Sequence, residues 1–136
     1  MKALWNSITD KFSKDVEFGP YDLQQKVAYD NMDIVEPQGE LWCRFTVRPG
    51  ASIPLELGPQ GTDRQVGDAF AQLYFPLSTG LGDVLEIAQS IRDLFNRKTT
   101  TAGVSFQTCS VQNIGEIQNS YLVTVTIPFF FDEVRV

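Results

Sequence analysis

Two hydrophobic periods alternate along this chain, and together they predict most of its elements. In residues 3–14 (ALWNSITDKFSK), Leu4, Trp5, Ile8 and Phe12 recur at helical spacing with polar residues between them. This predicts a short amphipathic helix whose apolar stripe needs a partner, stopped by Gly19-Pro20. Residues 27–40 (VAYDNMDIVEPQGE) show no period and read as an extended arm or short strand, closed by a turn near residues 37–39. Strict alternation then begins. In residues 41–48 (LWCRFTVR), Leu41, Cys43, Phe45 and Val47 share one face of a strand, and Trp42, Arg44, Thr46 and Arg48 share the other. Pro49-Gly50 reads as its end. Residues 51–65 (ASIPLELGPQGTDRQ) are rich in Gly and Pro, yet Ile53, Leu55 and Leu57 alternate, which predicts a protruding hairpin or flap with its tip around residues 58–61.

The second half repeats the scheme. Residues 66–76 predict a strand with Ala69, Ala71, Leu73 and Phe75 facing the core and Phe70, Gln72 and Tyr74 behind. A turn rich in Gly and Ser leads to the best helical pattern, residues 82–98. There Val84, Leu85, Ile87, Ala88, Ile91, Leu94 and Phe95 form a stripe broad enough to lie on a sheet. Asp83 near its start and Arg97 and Lys98 near its end suit the helix dipole. Residues 104–111 and 121–128 predict two further strands, with residues 112–119 (QNIGEIQN) as a polar loop between them. The tail FFFDEVRV, residues 129–136, carries more aromatic surface than a loose end should.

The predicted order is helix, strand, flap, strand, helix, strand, strand. It implies an α+β sandwich of two layers: a mainly antiparallel sheet of four or more strands with two helices on one face and a protruding hairpin. The link from the second strand through the helix to the third is compatible with a parallel crossover instead. A length of 136 residues suits a single domain spanning 1–136.

Composition narrows the function. The net charge is −6, with 17 acidic and 11 basic residues and no basic cluster, which argues against tight phosphate or specific nucleic-acid binding. There is no histidine. That removes the usual general base, every Ser–His or Cys–His nucleophile pair and most metal sites. Ser78, Ser90, Ser105 and Ser110 therefore have no histidine to activate them. The acidic groups Asp30 with Asp33, Asp132 with Glu133, and Glu116 lie in no apolar setting that would raise a carboxyl pKa, and read as solvated charge. GLGD at residues 80–83 joins a strand to a helix but matches neither phosphate-loop pattern, and reads as a turn with a helix start. Cys43 and Cys109 sit in strand-like segments and read as buried thiols. No apolar run approaches the roughly 18 residues of a membrane span, and residues 1–15 lack a secretory core, so a cytoplasmic origin and no membrane partner are expected. No cofactor, metal or catalytic role is expected.

What stands out is surplus apolar surface. The sheet face away from the helices should be polar, yet it carries Trp42, Phe70 and Tyr74 among Arg44, Arg48 and Gln72, a composition typical of protein interfaces. Four stretches in this order resemble the phage tail terminator proteins: VAYDNMDIVEPQGELWCRFTVRPG, RQVGDAFAQLYFPLSTGLGDVLEIAQSIRDLF, VSFQTCSV and YLVTVTIPFFF. They cover most of residues 27–131. The chain differs from the family pattern in its polar 112–119 loop and its acidic balance.

The resemblance implies a virion protein without catalytic residues. It implies a ring, usually of six copies, seated on the last ring of tail tube protein, where it stops polymerisation and offers a surface to the head connector. DNA would pass through such a ring without specific binding, and its charge of six times −6, or −36, suits that passage. On this reading the contact positions are the flap residues Ile53, Leu55, Leu57 and Arg64, the strand face Trp42 and Arg44, and Phe130 in the tail. The rival readings are another head–tail connector or tail completion protein, and a monomeric module binding a peptide or small ligand.

Overall fold

Six strands form one sheet in the computed structural model, which describes residues 6, 8–12, 27–29, 41–56, 58, 61–77, 82–100, 103–117 and 120–135. Residues 8–12 are helical (α1). The remaining elements are β1 (Val27–Tyr29), β2 (Trp42–Pro54), β3 (Gly61–Pro76), α2 (Gly82–Phe95), β4 (Val104–Phe106), β5 (Ser110–Ile117) and β6 (Ser120–Arg135). The sheet runs β1-β2-β3-β6-β4, and β5 also pairs with β6. Every pairing is antiparallel except β1 with β2. This is the expected α+β sandwich.

The alternation along the strands decides which face is covered. Cys43, Phe45 and Val47 of β2, Ala69, Ala71, Leu73 and Phe75 of β3, and Val123, Val125, Ile127 and Phe129 of β6 are all buried in one core. Ile8 and Phe12, one helical turn apart, join it from α1, and Val84, Ile87, Ala88, Ile91 and Phe95 join it from α2. The Phe12 ring stacks on Phe45 at 4.2 Å, and Phe95 meets Phe106 edge-on at 5.0 Å. Such ring pairs add roughly 0.5–1.5 kcal/mol each beyond their buried area. The central strand contributes its smallest core residues here: Ala71 lies opposite Phe45 and Val125, and Ala69 opposite Val47 and Ile127.

β3 and β4 both run antiparallel to β6 and flank it, so they are parallel to each other. The β3–α2–β4 link is therefore a crossover that straddles β6, and α2 lies on the sheet as part of it.

Several expected boundaries move. Pro49-Gly50 does not end β2, which passes through a bulge and continues to Pro54. β3 correspondingly starts at Gly61 rather than at residue 66, and the flap is the far end of the β2–β3 hairpin. Residues 104–111 are not one strand: β4 stops at Phe106 and β5 begins at Ser110. The cause of the break is local. The Cys109 N–H donates to Asn96 Oδ1 at 2.8 Å, and the Cys109 carbonyl accepts from Arg92 Nε at 3.0 Å, so both backbone groups are held by side chains of α2 and of the residue just past its end instead of by β6. Residues 112–117, read as loop, belong to β5.

The aromatic tail continues β6 without interruption to Arg135. Pro128 inside that strand is tolerated because its ladder changes neighbour there, with β5 ending opposite Thr126 and β4 beginning opposite Phe129. Finally, α2 ends at Phe95 rather than residue 98. Arg97 takes a left-handed conformation (φ 57°), and Arg92, not Arg97 or Lys98, supplies the basic charge of the last turn. The expected elements at residues 30–40 and the turn before α2 lie outside the described residues.

Candidate interaction surface

The face of the sheet away from the helices is laid out by cross-strand register. Trp42, Tyr74 and Leu122 form one row across β2, β3 and β6, followed by Arg44, Gln72 and Thr124, then Thr46, Phe70 and Thr126. Trp42 and Tyr74, directly opposite, stack at 4.4 Å with their planes 11° apart. Arg44 reaches over the Trp42 ring at 5.7 Å. The structure thus brings the predicted pair Trp42 and Arg44 together, but Trp42 is only 5% exposed, and Arg44 is the half of the pair that meets solvent.

At the flap end the same face carries a second cluster. Arg64 lies between Ile53 on β2 and Asp132 on β6. Its guanidinium makes a two-pronged contact with Asp132, Nε to Oδ1 at 2.8 Å and Nη2 to Oδ2 at 3.0 Å. It also covers the Phe130 ring at 4.2 Å. The hydrogen bonds from Arg64 hold the Asp132 carboxyl below the usual carboxylate range, and the same pairing raises Arg64. A forked Arg–carboxylate contact lying on an aromatic ring is a geometry that lysine could not reproduce.

Ile53 and Leu55 stand beside this cluster, 47% and 46% exposed. The Leu55 N–H donates to the Thr62 carbonyl at 2.9 Å, so the hairpin pairing persists beyond Pro54. Of the predicted contact positions, Ile53, Leu55, Arg64 and Phe130 therefore converge on one surface. Trp42 and Arg44 sit on the same face but nearer the other end of the strands, and Leu57 lies outside the described residues.

A further surface escaped the sequence reading. On β5, Ile114 and Ile117 are 50% and 40% exposed. The strand bulges between Asn113 and Gly115, where Gly115 takes a positive φ (110°). The only sequence signal was two isoleucines in an otherwise polar segment.

The two exposed aliphatic pairs lie on opposite sides of the sheet. On one side, among the described residues, β1 pairs with β2 at Cys43–Phe45, and no described strand pairs with the outer edge of β2 from Arg48 to Pro54. On the other side, among the described residues, β5 pairs with β6 alone. The edge of a sheet is where another chain can add by backbone pairing.

Among the described residues, no three Cys, Asp or Glu side chains gather as a metal site would require. No helix among them is long and apolar enough to cross a membrane. Of the candidate acid groups, Asp132 is engaged by Arg64 and Glu116 is exposed on β5. Asp30 and Asp33 lie outside the described residues. Cys43 and Cys109 are free, buried thiols.

The structure is thus a two-layer α+β sandwich with helices on one sheet face and aromatic, aliphatic and arginine side chains on the other face and at the edges. The family model for "Phage tail terminator protein" matches residues 7–129, and the chain belongs to that family of structural phage tail proteins. No curated protein matches it. A solved structure matches over 99% of this chain and 95% of its own, with a TM-score of 0.65 and 18% identity, which shows a shared fold. Membership implies a place in the virion tail and association with other tail components.

Proposed function

We propose that the protein closes the end of the phage tail tube as a ring of identical copies, six on the family pattern, with no catalytic role. The observation that carries this reading is the pair of unlike exposed aliphatic surfaces, Ile53 and Leu55 on β2 and Ile114 and Ile117 on β5. A chain that presents one adhesive surface on β2 and a different one on β5 is suited to head-to-tail contacts, and such contacts close into a ring when the rotation between copies permits. An isologous dimer would need only one self-complementary patch. In the ring, one side would seat on the tail tube protein and end its polymerisation, while the other would receive the head connector. The Arg64–Phe130–Asp132 cluster beside Ile53 and Leu55 would be a polar anchor on the β2 side. Acidic groups around the bore would let DNA pass without adhering. The protein would be made in the host cytoplasm and carried in the virion tail.

Electron microscopy of tails assembled without this protein tests the role. Tubes of irregular, extended length are expected. Tails of normal and uniform length would overturn it.

A further inference from the structure

We propose that Gln65 fixes the register of the flap, and with it the face on which Ile53 and Leu55 stand. Up to Pro49 the pairing of β2 with β3 is regular: Arg48 faces Asp68 and Pro49 faces Gly67. Beyond the bulge Ser52 faces Gln65, Ile53 faces Arg64 and Pro54 faces Asp63. Gly50 and Ala51 thus share the place opposite Val66, one residue more than regular pairing would allow. Because side chains alternate, one extra residue turns every later side chain of β2 to the other face. With it, Ile53 and Leu55 join Arg64, Asp132 and Phe130. Without it, Ile53 would face Asp63 on the helix side of the sheet, and Ser52 and Pro54 would take its place on the outer face.

The Gln65 side chain bridges the extra residue. Its Oε1 accepts from Ser52 Oγ at 2.7 Å. Its Nε2 donates to the Gly50 carbonyl at 2.9 Å and, more weakly, to the Val66 carbonyl at 3.3 Å. These contacts grip β2 on both sides of Ala51 and can all form only when Ser52 lies opposite Gln65. A bulge leaves backbone groups out of the ladder, and here one of the freed carbonyls has its partner supplied by a side chain. Gly50 fits the same geometry, since a Cβ on it would fall 3.1 Å from the Val66 carbonyl oxygen. β3 and β6 stay in regular register throughout, so the choice lies in β2 alone. Gln65 is a positioning residue: it touches no partner itself but decides which side chains do.

The consequence for docking rests on the ring reading above, but the register can be measured on the isolated protein. NMR cross-strand contacts of Ile53 report it directly. The wild type should show contacts from Ile53 to Arg64 only. Gln65→Leu, which removes both halves of the bridge, should show a second set of signals with Ile53 contacting Asp63, in at least about a tenth of the molecules. Gln65→Glu keeps an acceptor for Ser52 and should show a smaller second population. Should Gln65→Leu fail to fold, Ser52→Ala removes one exposed hydroxyl and carries the same readout. A single, unchanged register in the folded variants overturns the proposal and leaves the ring reading untouched. Irregular tails from an Ile53→Asp protein with wild-type register would bear on the ring alone.

Discussion

The ring of Phe129 lies directly over Gly67, its register partner across β3 and β6. A Cβ added at Gly67 would fall 2.8 Å from the Phe129 Cζ and 2.5 Å from the Arg48 carbonyl oxygen. The aromatic ring supplies the cover that the glycine lacks. Because one of the blocking atoms is backbone, the site cannot adjust by a rotamer change. Gly67→Ala should therefore destabilise the fold by about 1–3 kcal/mol, the usual cost of overpacking. A urea unfolding midpoint unchanged from wild type would contradict this.

Arg97 holds a left-handed backbone conformation (φ 57°) just past α2, where glycine is at ease. Relieving an L-residue of that conformation is worth up to roughly 1–2 kcal/mol. Arg97→Gly should raise the melting temperature by a few degrees, and a fall in differential scanning fluorimetry would count against the strain.

Burial pushes the Cys109 thiol up to about 11, with the Arg92 charge opposing it, and pushes Cys43 higher still. Unfolded thiols ionise near 8.5. Both groups thus contribute stability that is complete below that value and declines as pH rises toward the native values. Stability measured by denaturant should fall between about pH 8.5 and 11. Neither thiol should react with Ellman's reagent at pH 8 until the protein unfolds.

Asp132 titrates below the ordinary carboxylate range because of Arg64. Its depressed value means the pairing contributes above the unfolded pKa and is lost as pH falls through the native one. Both side chains are exposed, so the effect on stability is small. The carboxyl carbon shift of Asp132, followed by NMR, should move its midpoint up to the ordinary range in Arg64→Met. An unmoved midpoint would show that the contact does not hold in solution.

Ile53→Asp, Leu55→Asp, Ile114→Asp and Ile117→Asp alter exposed positions, so each should shift stability by no more than about 0.5 kcal/mol. Each should nonetheless impair ring assembly, and pairs taken from opposite edges should fail as singles do. Native mass spectrometry in the presence of tail tube protein reads this. Full assembly by all four would remove these edges from the interface.

The strand faces were legible because period-2 alternation around Phe45, Leu73 and Val125 reports burial directly. The bulge was not, because Pro49-Gly50 carries the same signal as a chain-reversing turn and only the pairing with β3 distinguishes them. β5 was hidden for a different reason. As an edge strand it exposes most of Gln112, Asn113, Ile114, Glu116 and Ile117, so no buried face imposes a period on its sequence. Trp42 was legible as a member of the outer face, but its near-complete burial depends on Tyr74, a partner 32 residues away that no local pattern announces. Arg64, Phe130 and Asp132 were singled out or noted separately. Their meeting required β3 and β6 to run far past the ends that Val66 and Pro128 suggested.

In the proposed ring, a sheet whose two edges differ would act as a link and not as a plug. On the proposed head-to-tail contact, every copy that joined through its β5 side would leave a fresh β2 side exposed, so addition would have no intrinsic last step. Only the angle between successive copies decides whether the series returns to its start or runs on as a ribbon. The bulge at Asn113–Gly115 bends the strand that would govern that angle. If the protein does set the length of the tube, it must first limit its own assembly, and on the proposed ring that limit would come from curvature.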